Sequence, residues 1–296
     1  MIKKRVFNKI KYHLLRNNIN ILPKYYNDTD SIDLSPIFIL GGNRSGTSLI
    51  SSLVAQHYSI EGIFGNNDSL KYSKYGKHVL AFSTSHHVWD FLLNTKKDWF
   101  SHDEGVLWGH PKNISQYYLD KPKNKKQSLI LANAIQDYRR TEKIPLLNSH
   151  FNMFRIGMIK KIFPNSKFIL IIKDYKEIIT SCYDKWQKQN IEIDYPKIGL
   201  HWFTLNCSCL YDLQKYALDD YCVIDYSELF YESTQTNEML NTKLQKIGLD
   251  KFSYDLKIIN PDYRFINTKD SKQLNFNKYF GWIESLVSDE SKIINT

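Results

Sequence analysis

Cysteine is scarce: the 296 residues hold only Cys182, Cys207, Cys209 and Cys222. Four are too few for a disulfide scaffold in a chain of this length. Cys207 and Cys209 lack a second pair at zinc-ligand spacing, so small buried thiols in a reducing compartment are the expectation. Long apolar runs are missing too. The longest plain run goes from Phe168 to Ile172, far short of the roughly 20 residues a membrane span needs. The N-terminus has neither the apolar core nor the small-residue cleavage site of a secretory signal. A cytoplasmic location follows as the expectation. There is no internal repeat and no low-complexity tract. Apolar residues at 42% and charged residues at 24% exclude a disordered or collagen-like chain.

Acidic residues are absent from two stretches, and this explains the net charge of +9. Residues 1–20 carry Lys3, Lys4, Arg5, Lys9, Lys11 and Arg16 with no acid, and Lys121, Lys123, Lys125 and Lys126 form a basic loop. Outside them, 30 of the 40 basic residues stand against all 31 acidic ones. The excess is local, so no broad nucleic-acid-binding face is expected. Val6, Ile10 and Leu14 recur every four residues, the spacing of an amphipathic helix. Such a helix could lie peripherally on an anionic membrane surface or pack on the main domain. The chain divides into a basic arm, residues 1–30, and a single domain, residues 31–296.

What is present is an alternation of short apolar runs and helical stripes. Pro36 to Leu40, Pro145 to Asn148, Lys167 to Ile172 and Tyr221 to Asp225 read as strands. Leu49, Ile50, Leu53 and Val54, then Phe154 to Ile162, then Ile178 to Trp186, read as helices. The pattern predicts an α/β fold: a three-layer parallel sheet flanked by helices. Residues 62–126 have weak periodicity and read as helices and loops over the sheet.

The strongest chemical signal is Gly41-Gly42-Asn43-Arg44-Ser45-Gly46-Thr47-Ser48, between a strand and a helix. Glycines let backbone N–H groups turn toward an anion, and the helix adds its positive end. Ser45, Thr47 and Ser48 add hydroxyls, and Arg44 adds a fixed cation. Aligned on G-x-x-x-x-G-K-[ST], Gly41, Gly46 and Ser48 fit, but Thr47 stands in the Lys position of a nucleotide triphosphatase. A P-loop small-molecule kinase is therefore the alternative, and it also lacks an obvious Mg²⁺-binding Asp.

The R-S-G-T-S run after an apolar strand resembles the 5′-phosphosulfate loop of sulfotransferases that use 3′-phosphoadenosine 5′-phosphosulfate (PAPS). The resemblance implies the P-loop-like sulfotransferase fold. Gly42, Asn43, Arg44, Ser45, Gly46, Thr47 and Ser48 would bind the 5′-phosphate, with Arg44 neutralising the bridging oxygen as the sulfuryl group departs. Lys173-Asp174-Tyr175, with Ser181 eight residues after Lys173, resembles the family's 3′-phosphate pair, though Lys replaces Arg and Tyr175 replaces Pro. Lys binds phosphate as a point charge rather than a bidentate fork. Tyr226-Ser227-Glu228-Leu229 resembles the family's Tyr-Glu-x-Leu segment, whose Tyr lies near the adenine; Tyr226 is a candidate adenine contact or a core tyrosine. Asn148 to Ile156 and Ile162 to Ile169 resemble a further family pattern, so the likeness runs in order from Pro36 to Leu249.

The implied reaction moves a sulfuryl group from PAPS to a hydroxyl or amine by in-line displacement, needing a general base and no metal. His150 stands where one branch of the family places its base, with Asn148 replacing a family Lys. In other branches a Glu after the loop serves, which leaves Glu61, Asp68 or His78 as alternatives, with His86 and His87 as further ones. The implied acceptor is a small molecule or glycan, a saccharide or glycolipid by analogy. A non-catalytic nucleotide-binding relative is a further reading, kept open by Asn148, Lys173 and Tyr175.

Overall fold

A computed structural model of the chain describes residues 34–63, 120–121, 132, 135, 141–187 and 195–259. The basic arm, most of the 121–126 loop, and Asp68, His78, His86 and His87 lie outside these residues.

Strand β1 (Ile37–Leu40) is followed by helix α1 (Thr47–Val54) and strand β2 (Ile60–Ile63). Then come β3 (Ile144–Asn148), a 3₁₀ turn (His150–Phe154) and α2 (Ile156–Ile162). β4 (Lys167–Ile172), α3 (Tyr175–Gln187) and α4 (Tyr195–Tyr216) follow. β5 (Tyr221–Asp225), a 3₁₀ turn (Tyr226–Phe230), α5 (Ser233–Gln245) and a last 3₁₀ turn (Leu256–Ile258) close the order. The five strands are all parallel, in the order β2-β3-β1-β4-β5.

Parallel strands covered on both faces need apolar side chains at every position, and β1 is buried along its whole length. Its alternating side chains feed two separate cores. Phe38 and Leu40 join Leu147, Phe168 and Leu170 under α2 and α4, through Met158, Ile159, Leu205 and Leu213. Ile37 and Ile39 join Leu146, Ile169, Ile171 and Ile224 under α1 and α5, through Ile50, Leu53, Leu240 and Leu244. This is the expected three-layer arrangement.

The expected strands and helices are found, and β2 and α4 are among the elements added to them. β2 has polar or flexible residues, Glu61 and Gly62, at its centre, and only its end residues are buried. α4 runs 22 residues but interrupts its apolar stripe with buried His201, Asn206 and Asp212. No described helix is long and apolar enough to cross a membrane. Cys209 and Cys222 are buried free thiols, and Cys207 is a half-buried one.

The order of connections locates the functional edge. From β1 the chain passes through α1 toward β2, and from β4 through α4 toward β5 on the opposite face. The direction reverses between β1 and β4. In open α/β sheets a crevice forms at such a switch point, beyond the C-terminal strand ends.

Phe38 and Phe168 are paired in register and their rings stack with centroids 5.8 Å apart. Both are fully buried. Phe168→Ala should destabilise the protein by about 3–5 kcal/mol, read as a lower urea midpoint at unchanged slope.

Candidate active site

The loop after β1 is shaped by close packing. A side chain at Gly41 would stand 2.6 Å from both Ser45 Oγ and Thr47 Cγ2, so only hydrogen fits. Ser45 is buried, and both its Oγ (2.6 Å) and its N–H (3.2 Å) donate to the Gly42 carbonyl. Ser45 therefore locks the loop's shape. Arg44 is the only described non-glycine residue with positive φ, at 65°, a conformation that persists only where the surroundings enforce it. Gly46, at φ 94° and ψ 13°, caps α1. The first turn of α1 holds no acidic residue. Thr47 and Ser48 open the helix, where the first N–H groups have no intrahelical acceptor. Asn43 is half-buried, and Arg44 and Ser48 are exposed.

The end of β4 meets this loop. Arg44 Nε donates to Ser181 Oγ at 2.9 Å, joining residues 137 apart in sequence. Lys173, directly after β4, is 4% exposed, and its Nζ lies 3.3 Å from Glu177 Oε2. The same ammonium stands 3.9 Å above the centroid of the Tyr226 ring. Burial pushes the Lys173 pKa down; Glu177 opposes this, and the nearby Arg44 charge adds to it. The Lys173 carbonyl accepts from Trp202 Nε1 of α4 at 2.9 Å. Tyr175, in the place of the family's Pro, is buried against Trp202 with centroids 5.7 Å apart. The strand end is thus tied down by a tyrosine–tryptophan contact.

Tyr226 begins the 3₁₀ turn after β5. Asp225 accepts from the Ser227 N–H at 2.8 Å, and Glu228 accepts from the Asp225 N–H at 2.9 Å. Glu228 also pairs with Lys243 of α5. The Tyr226 ring is 6% exposed. A Cβ on Gly46 would run into its Cδ2 and Cε2 edge.

His150 opens the 3₁₀ turn beyond β3, half-buried. β3 neighbours β1, with Asn148 opposite Ile39. The 3₁₀ turn packs against β1 and α4. His201 of α4 is 2% exposed. Burial, and then the charge of His150, push its pKa down to about 3, so His201 is a neutral imidazole beside His150.

Glu61, the alternative base, sits on β2, two strands away from β1 in the sheet order. It lies near the start of β2, opposite Pro145, and accepts from the Thr141 N–H at 3.2 Å and Oγ1 at 2.9 Å. The cluster has three members that the sequence reading did not single out. Glu177 was findable, being four residues beyond Lys173 on a helix. His201 and Trp202 come from a helix with no local motif.

The sequence profile of the sulfotransferase family matches residues 36–245, and the chain belongs to that family. No curated relative matches it significantly. Among solved structures, a sulfotransferase from Alicyclobacillus acidocaldarius is 16% identical, covering 87% of this chain and 97% of its own, with a TM-score of 0.48. The sulfotransferase domain from the curacin biosynthetic pathway is 17% identical, covering 79% and 83%, with a TM-score of 0.43. A sulfotransferase from Mycobacterium tuberculosis H37Rv is 14% identical, covering 77% and 73%, with a TM-score of 0.46.

His201 sets a pH dependence of stability. Its folded pKa lies below the unfolded value, so below about pH 6.5 the unfolded state binds the extra proton. Stability should therefore fall as pH drops from about 6.5 toward 3, by up to about 1.4 kcal/mol per pH unit. Urea midpoints across that range should show this slope, and His201→Asn should flatten it.

Proposed function

We propose that the chain moves a sulfuryl group from PAPS to a hydroxyl or amine of a small-molecule or glycan acceptor. The observation that supports this most is the convergence of Arg44, Lys173 and Ser181 from two neighbouring strand ends. Two cations and a hydroxyl, with a glycine-lined loop opening a helix, form a donor set suited to an anion with two phosphate groups. When bound, PAPS supplies an activated sulfuryl group whose sulfur is attacked in line as its bond to the bridging phosphate oxygen breaks.

The chain's residues divide the work. The backbone from Gly42 to Ser48 holds the 5′-phosphate, with Thr47 and Ser48 adding hydroxyls and Ser45 keeping the loop in shape. Lys173 and Ser181 hold the 3′-phosphate, Lys173 as a point charge. Arg44, anchored through Nε to Ser181, would place its charge near the bridging oxygen and offset the electron pair left there. His150 accepts the proton that the acceptor loses as its oxygen or nitrogen bonds to sulfur. His201 stays neutral beside it and so adds no charge that would disfavour the protonated His150. Tyr226 belongs to the same donor site. The basic arm would give the enzyme a peripheral contact with anionic membranes.

Adenosine 3′,5′-bisphosphate should raise the melting temperature by several degrees without Mg²⁺, since a ligand at a hundredfold its Kd adds about 2.7 kcal/mol. Arg44→Ala and Ser181→Ala should diminish the shift. Stabilisation by ATP with Mg²⁺ but not by the bisphosphate would instead favour a kinase.

His150→Ala should lower kcat for sulfuryl transfer by roughly 10²–10⁴-fold while leaving the bisphosphate melting shift intact. Full activity in that variant would remove His150 from the mechanism.

A further inference from the structure

The geometry points to Tyr226 as a positioning residue for the 3′-phosphate site: its ring buttresses Lys173 and the loop glycine Gly46 together, rather than stacking on the adenine. This deepens the proposed donor site and rests on Lys173 binding the 3′-phosphate.

Three observations carry it. First, the Lys173 ammonium lies 3.9 Å from the ring centroid, within range of a cation–π contact, which strengthens as the cation loses water. Lys173 is 4% exposed, so its ammonium is largely desolvated. Second, the ring's Cδ2 and Cε2 edge fills the space where a side chain on Gly46 would be. Gly46 is at φ 94°, so the loop's conformation and its contact with Tyr226 both require glycine. Third, the ring is held rather than offered. It is 6% exposed, and Phe230 meets it at 5.1 Å and 62°. Its turn is fixed by Asp225, by Glu228 and by the Glu228–Lys243 pair.

A lysine presents a single charge on a flexible stem, so it needs external alignment that an arginine fork supplies for itself. Tyr226 on one side and Glu177 on another give Lys173 that alignment. With the ring removed, the ammonium loses one wall, and discrimination for a 3′-phosphate should fall with it.

The test compares two ligands by calorimetric titration of the full chain: adenosine 3′,5′-bisphosphate, and adenosine 5′-monophosphate, which lacks the 3′-phosphate. Loosening of the Gly46 loop weakens both and cancels in their affinity ratio. Tyr226→Leu should cut the ratio by roughly tenfold, toward the value for Lys173→Ala. Tyr226→Phe, which keeps the ring, should hold it within about threefold. Should the Leu variant not fold, Tyr226→Met is read in the same way. An adenine-stacking role predicts instead that both ligands weaken equally in Tyr226→Leu. A ratio lost in Lys173→Ala but kept in Tyr226→Leu overturns the Tyr226 assignment alone. A ratio unchanged in Lys173→Ala overturns the donor-site reading, and the Tyr226 assignment with it.

Discussion

Two like charges held close together, Arg44 and Lys173, are the constraint on which the rest of this site depends. Burial disfavours the Lys173 charge most, Glu177 supports it, and the Arg44 charge adds a smaller opposition. Such a pair persists only if the fold fixes both ends. Arg44 is fixed by a left-handed backbone and a hydrogen bond to Ser181. Lys173 is fixed by Glu177, by the Tyr226 ring and by the Trp202 bond to its carbonyl. In the proposed donor site, a phosphate dianion would offset both charges, and charges already in place need no reorganisation at the moment of reaction.

The sheet makes that proximity possible. β1 and β4 are adjacent and in register, so the residues just past Leu40 and Ile172 emerge side by side. β3 flanks β1 on its other side and delivers His150 to the same edge. α4 crosses beneath and contributes two supports, Trp202 under the Lys173 backbone and His201 beside His150. Tyr175 in place of proline belongs to this scheme, because its ring packs on Trp202. The substitution exchanges a stiff turn for an aromatic anchor. The net charge of +9 plays no part in these contacts, which rest on a few placed groups.

Much of this was legible in the sequence, for physical reasons. β1 and β4 were visible because strands buried on both faces read as continuous apolar runs. The loop was visible because glycine and hydroxyl residues between a strand and a helix have few other uses. Lys173 and Ser181 could be paired through the family resemblance. β2 was not visible: it has four residues, and Glu61 and Gly62 break its apolar pattern. α4 was missed because buried polar residues interrupt its stripe. The supports supplied by His201 and Trp202 were beyond reach for a related reason. Their meaning comes from packing against strand ends distant in sequence, and no local spacing announces that.

The most direct measurement is a crystal structure with adenosine 3′,5′-bisphosphate bound. The 5′-phosphate should lie on the backbone from Gly42 to Ser48, and the 3′-phosphate within hydrogen-bond distance of Lys173 Nζ and Ser181 Oγ. The Tyr226 ring should remain between Lys173 and Gly46, and His150 should face the position a sulfuryl group would take. A nucleotide bound elsewhere, or one bound at the loop with its 3′-phosphate turned away from Lys173, would contradict the proposed donor site.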